Sequence, residues 1–387
     1  MTHGSMQSAL LTSLSALVLS VALVGCAPAG PPDEAGLGVE PFATRPHLNI
    51  RWRQLLNPSE TFEYRPREYA QPHYRPRSDE MFVGTDEGTI FKVRGGDGKL
   101  LWEKQLDGSI HAEPVFGDGR VYVGTLDGHF YALDEGSGEI IWHNENGAAI
   151  EAQAAFAEGR VFYSTTDNVL IAADAATGKS LWDQRRSVPE YFTLKGTSYP
   201  VADDGVVYAG FADGVMAAFQ LDTGDVLWRS DLSGGKTEFI DVDVEPILAG
   251  SRIYSASYDG GLYAVDRDTG EYIWRRPMGG VADVIYGEDE LYVASASGRV
   301  MEVNAEDGEP SWSFRLEEHT PVALTATRLY VFVSSSSGPI YVLDRASGMP
   351  LVTWNPSTGF NAKVVIGREQ AFAFSNKGYL YGLDVAY

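Results

Sequence analysis

Residues 121–142, VYVGTLDGHFYALDEGSGEIIW, decide how this chain folds. Two short apolar runs, Val121-Tyr-Val and Phe130-Tyr-Ala-Leu, are joined by Asp127-Gly128, and a second turn at Ser137-Gly138 leads into a run ending on Trp142. Period-two apolarity predicts strands with one face turned inward, and Asp-Gly supplies the positive φ of a tight hairpin. The stretch therefore predicts three antiparallel strands in succession. The same pattern recurs as MFVGTDEGTIFKVRGGDGKLLW from 81, VFYSTTDNVLIAADAATGKSLW from 161, VVYAGFADGVMAAFQLDTGDVLW from 206, IYSASYDGGLYAVDRDTGEYIW from 253 and LYVASASGRVMEVNAEDGEPSW from 291. A looser copy runs from Leu329 to Trp354. A repeat of about 40 residues with four strands per unit marks the blades of a β-propeller.

The tryptophans set the ring size. All eight, Trp52, Trp102, Trp142, Trp182, Trp228, Trp274, Trp312 and Trp354, fall one to a repeat. An eighth copy, AFAFSNKGYLYGLDVAY, starts at Ala371 but reaches Tyr387 without a tryptophan, while Trp52 has no strands before it. Both irregularities disappear if the N-terminal strand is the missing outer strand of the last blade, which also removes two exposed sheet edges. The expectation is an all-β, eight-bladed propeller of four-stranded antiparallel blades over residues 48–387, its ring closed by the N-terminal strand.

Ahead of the ring, Ala9–Val24 is almost wholly apolar, too short for a membrane span and suited to a signal peptide. It ends in Leu23-Val24-Gly25-Cys26, which resembles the lipobox of bacterial lipoproteins. That resemblance implies removal of residues 1–25, acylation of Cys26 and, with Ala27 rather than Asp next, an outer-membrane anchor with the domain facing the periplasm. Residues 26–47 follow as a tether rich in Pro and Gly. Cys26 is the sole cysteine, so an intramolecular disulfide, a CxxC pair and a cysteine-cluster zinc site are all excluded. The net charge of −23 argues against nucleic acid as a partner. The one locally basic stretch, TFEYRPREYAQPHYRPR (61–77), carries four Arg against two Glu and is expected as a solvated insertion.

Where repeats disagree, function is to be sought. From each tryptophan to the next unit's first strand the distances are 19, 19, 24, 25, 17, 17 and 17 residues. The two long connections flank blade 4 and, leaving an outer strand for the inner strand of the next blade, are expected on the same rim. The first, RRSVPEYFTLKGTSYP (185–200), places Tyr191, Phe192 and Leu194 beside Lys195. Clustered apolar residues beside a cation mark a protein contact, and folding back over the blade 3/4 seam accounts for them equally well. The second, LSGGKTEFIDVDVEP (232–246), would as a strand put Asp241, Asp243 and Glu245 on one face. Carboxylates spaced about 7 Å apart along a strand suit a basic partner better than one calcium ion, whose ligands lie at about 2.3–2.6 Å. Hydrated carboxylates lining the central channel are the plainer alternative.

The repeat resembles the quinoprotein (PQQ-like) type, and lipobox, tether and eight blades together are similar to the BamB family of the outer-membrane β-barrel assembly (BAM) machinery. Phe192-Thr-Leu194-Lys195-Gly196 and Asp241-Val-Asp243 followed by Pro246 resemble two segments that in this family bind the POTRA region of BamA. The resemblance implies a non-enzymatic scaffold without cofactor or metal, partnered by BamA, other BAM components and outer-membrane protein precursors. A generic envelope propeller binding another protein or glycan, and a quinone-dependent dehydrogenase, are the rival readings. His73, His111 and His319 stand on or before expected inner strands but lack metal-ligand spacing.

Overall fold

The computed structural model describes residues 47–58, 68–188, 199–356, 359–367 and 370–386. The expected signal peptide, Cys26 and most of the tether lie outside the described residues, as do Tyr191, Phe192, Leu194 and Lys195. The described residues form eight four-stranded antiparallel sheets and contain no helix. The opening stretch folds as expected into Arg120–Gly124, His129–Asp134 and Ile140–Glu145, behind a short inner strand, Val115–Gly117. Gly128 and Gly138 hold the turns at φ 86° and 75°.

One expectation needs correction. The middle strands bury both faces, not one: Val121, Tyr122 and Val123 are all enclosed. The reason is that a blade is sandwiched between two neighbours. Val121, Val123, Tyr131 and Leu133 pack on blade 1 with Phe82 and Ile90, while Tyr122, Phe130 and Ala132 pack on blade 3 with Val161 and Tyr163. The core is accordingly not a single mass but a set of eight clusters, one at each seam.

The outer-strand tryptophans join the blades. Seven of them donate Nε1–H to a backbone carbonyl of the following blade at 2.8–3.1 Å. Each of these rings also lies flat against a turn glycine of that blade, Trp142 against Gly178 for example, so closely that an added Cβ would sit 2.6 Å from the ring.

The ring closes as expected. The strand His47–Leu55 pairs antiparallel with Tyr379–Ala386, setting Trp52 opposite Gly382, and completes a blade with Gln370–Phe374 and Val365–Ile366. Arg51 pairs with Asp384 at 2.7 Å, and Leu56 N donates to Gly378 O at 2.9 Å. The described part of the 61–77 stretch is not a solvated insertion: Glu68 and Ala70 are buried, and His73–Arg75 is the inner strand of blade 1. Apolar and backbone groups there are needed to fill the seam beside the closing strand.

Trp142→Ala should cost about 3 kcal/mol, the range for removing a large aromatic from a packed seam. Gly178→Ala should cost at least about 1 kcal/mol through its positive φ and the ring it meets. Urea denaturation of both single variants and the double variant should show the two costs failing to add, because they report one contact. Removing the closing strand, by starting the chain at Pro58, should expose amides of Tyr379–Ala386 to hydrogen exchange first, while blades 3 to 5 keep their protection.

Candidate functional site

The strand order places every connection from an outer strand to the next inner strand on one rim of the ring, beside the hairpins between the two middle strands. The enlarged connections on either side of blade 4 are rooted on the same hairpin, Phe211–Gly214. Arg186, at the start of the first, makes a two-point ion pair with Asp213 and lies over the Phe211 ring. Asn168 donates to Ser187 O and accepts from Ala212 N, both at 3.0 Å. On the other side, Leu232 N donates to Gly214 O at 2.7 Å and Val242 N to Phe211 O at 3.2 Å. The expected common rim is therefore present in the described roots of both connections.

The second connection does not form the expected strand. Residues 240–246 are irregular, and the inner strand of blade 5 begins only at Ile247. Asp241, Asp243 and Glu245 consequently do not share a face: Asp241 is completely buried, Asp243 half-buried and Glu245 exposed. Two apolar residues account for this, because Val242 and Val244 are drawn into the seams on either side of blade 5, and Phe239 takes a positive φ of 51° to turn the chain. What projects from this rim is Gly235–Glu238, held at its base by Arg275, which donates to Gly234 O and Gly260 O at 3.1 and 2.9 Å.

Asp243 and Glu245 instead reach the channel. Its mouth on this rim holds a cavity of about 130 Å³, walled by Gln71, Glu113, Gln153, Tyr199, Asp283 and Lys363 besides these two. Tyr199 ends the first enlarged connection and Glu245 ends the second, so both converge on the mouth. Lys363 Nζ contacts Glu113 Oε2 at 2.6 Å, and His73 Nδ1 contacts Glu113 Oε1 at 2.7 Å. Burial alone would raise Glu113, but the His73 hydrogen bond and the Lys363 charge prevail and hold its carboxyl below the ordinary range. Asp283 accepts from Leu324 N at 2.7 Å, yet burial pushes its carboxyl up to about 6. Asp243 is pushed by burial to about 7, and its Oδ1 is enclosed without a hydrogen-bond partner. Glu245 is raised too, first by the protein walls around it, with Lys363 opposing and Glu113 reinforcing. The mouth thus holds four carboxylates and one ammonium, and three of the carboxylates, Asp243, Glu245 and Asp283, are raised above the ordinary range by burial.

Of the three channel histidine candidates, only His73 borders the channel. His111 turns to Asp86 at 2.9 Å and packs at a tilt against Tyr69, and His319 packs against Tyr341 and Gly338. Sequence reasoning missed Glu113, Gln153, Asp283 and Lys363. Their signal was available: Glu113 and Gln153, and likewise Asp243, Asp283, Ala323 and Lys363, stand 40 residues apart, one position per blade.

Comparison with known proteins follows the fold. The BamB crystal structure from Moraxella catarrhalis superposes with a TM-score of 0.74 at 21% identity, covering 87% of this chain and all of that one. Quinohemoprotein alcohol dehydrogenase ADHIIG from Pseudomonas putida HK5 gives 0.72 at 14% identity, over 87% of this chain and 76% of that one. The computationally designed protein Ika8 gives 0.67 at 18% identity, over 84% and 97%. At these identities the structures speak for the fold alone. No curated protein sequence matches the chain. The sequence profile described as outer membrane protein assembly factor BamB matches residues 49–155 and 137–314, well over half of the chain. The chain belongs to the BamB family of outer membrane protein assembly factors.

Proposed function

We propose that this protein is a non-enzymatic scaffold of the BAM complex, anchored through Cys26 in the outer membrane and docking onto the POTRA region of BamA with the rim on either side of blade 4. The observation that carries the reading is the convergence of the two enlarged connections on one hairpin and one acidic channel mouth. Within it, Tyr191, Phe192, Leu194 and Lys195 supply apolar contact and a cation from the first connection. Asp243 and Glu245 supply negative charge from the second, and buried Asp241 holds that connection in shape. Other BAM components and unfolded outer-membrane protein precursors complete the set of partners.

The dehydrogenase reading has less support. All eight tryptophans are committed to seams, seven on turn glycines and Trp354 on Phe360 and Tyr381, so none is spare as a stacking platform for a quinone. Addition of quinone and calcium should yield no dye-linked alcohol oxidation, and turnover would put the enzyme reading first.

Docking is tested by recovery of BamA with the protein from detergent-solubilised envelopes. Leu194→Asp combined with Glu245→Lys should lower that recovery at least about tenfold, since like charges at an interface cost several kcal/mol. The melting temperature should stay within about 4 °C. Undiminished recovery would remove this rim from the contact. A basic partner residue at the mouth would lower the Asp243 pKa from its value of about 7, so binding releases a proton and tightens as pH rises towards that value. Recovery should therefore fall between pH 8 and pH 5.5 in the parent and change less in Asp243→Asn.

A further inference from the structure

Away from this rim's docking region, blade 2 brings together two of the seven histidines in the chain. Its third and outer strands pair with His129 opposite Glu145 and Tyr131 opposite His143, so the alternation of side chains sets His129, His143 and Glu145 on one face at one corner. One ligand atom from each lies within 4.8 Å of the other two. The corresponding corners are differently furnished: Thr89, Glu103 and Gln105 in blade 1, Val169, Asp183 and Arg185 in blade 3, Val215, Arg229 and Asp231 in blade 4. The propeller geometry supplies the corner, and blade 2 alone among these places two imidazoles and a carboxylate there.

The donors are uncommitted. His129 Nδ1 is enclosed and has no hydrogen-bond partner. His143 Nε2 stands 3.9 Å from Glu145 Oε1, beyond hydrogen-bond reach, and among the described residues neither side chain makes a hydrogen bond. Orientation is nonetheless restricted. The His143 ring stacks on Tyr131 at 5.5 Å and 22°, and His129 packs on the same tyrosine at 5.9 Å. Tyr131 is itself buried in the blade 1/2 seam and contacts Asp107.

We propose that His129, His143 and Glu145 form a binding site for one first-row transition-metal ion, zinc foremost. Zinc–nitrogen and zinc–oxygen bonds of about 2.0–2.2 Å put tetrahedral ligands roughly 3.4 Å apart, so closing the site needs at most about 1.4 Å of approach. Rotation of the exposed His143 and Glu145 side chains supplies it. Two imidazoles select zinc, nickel or copper over calcium and magnesium, which prefer oxygen. Three protein ligands leave a fourth position to water.

The test uses the mature chain without an affinity tag, stripped with chelator and titrated with zinc chloride by calorimetry. One zinc per chain is expected. His143→Ala and His129→Ala should each weaken binding at least about tenfold, since even lost outer-sphere partners cost 10–100-fold. His319→Ala should leave it unchanged. Should His129→Ala impair folding, the exposed pair His143→Ala and Glu145→Ala carries the test alone. Cobalt substitution gives a second readout, a tetrahedral visible spectrum that disappears in His143→Ala. Absence of stoichiometric uptake, or uptake unaltered in the His143→Ala and Glu145→Ala double variant, would overturn the site.

Discussion

The ring depends on one repeated contact, the indole of each outer strand lying flat on a glycine in the next blade's last turn. A blade alone has two apolar faces and no means of fixing the angle to its neighbours. The indole provides that angle, because its face meets a backbone with no Cβ and its Nε1–H is tied to a carbonyl at the start of the same turn. Any side chain at the glycine would stand 2.4–2.8 Å from the ring, and the turn needs a positive φ as well, so two independent requirements select glycine there. Repetition of one contact makes the wedges equal, and equal wedges are what let the ring close.

Closure itself is the exception to that rule. The eighth blade has no turn between its last two strands, since those strands belong to opposite ends of the described ring, and so Trp354 meets no turn glycine. Its ring packs instead on Phe360 at 5.6 Å and edge-on to Tyr381 at 5.2 Å, within a cluster that also gathers Leu48 and Val385 from the two closing strands. The blade that Trp354 meets without this contact is the one closed by pairing His47–Leu55 with Tyr379–Ala386, the two ends of the described ring. Such a pairing joins strands more than three hundred residues apart and so carries the largest loop-closure entropy among the described strand pairs.

Much of this was legible in the residues. Alternation, Asp-Gly and Ser-Gly turns and one tryptophan per unit are local signals, and they led to the correct strands, ring size and closure. The segment 240–246 was misread because alternating Ile, Asp, Val, Asp, Val and Glu fits a strand, whereas Val242 and Val244 are claimed by two different seams and Asp241 is enclosed. Period-two pattern cannot distinguish a strand from a chain held by neighbours on both sides. The channel mouth was hidden for another reason: Glu113, Asp283 and Lys363 are hundreds of residues apart or in different blades, and only the register of the repeat unites them. The corner of His129, His143 and Glu145 depends on strand pairing that the sequence implied but that had to be laid out before the side chains could be seen to meet.

Constancy and variation divide the molecule by rim and by depth. Seams repeat the same chemistry, while the connections at the channel mouth differ in length and charge, so a rigid frame presents a variable surface. The mouth is also where the frame accepts an electrostatic penalty. Asp243 and Asp283 have carboxyls raised by burial, so in the folded ring they resist ionisation and stability declines as pH rises through their values of about 7 and about 6. Lys363 offsets part of this, but its ammonium is already engaged by Glu113. An apolar residue would avoid the penalty, as Ala323 does at the equivalent position of blade 7. A basic side chain brought to the mouth by a partner would relieve it, and the energy withheld in the free protein would then appear as affinity for that partner.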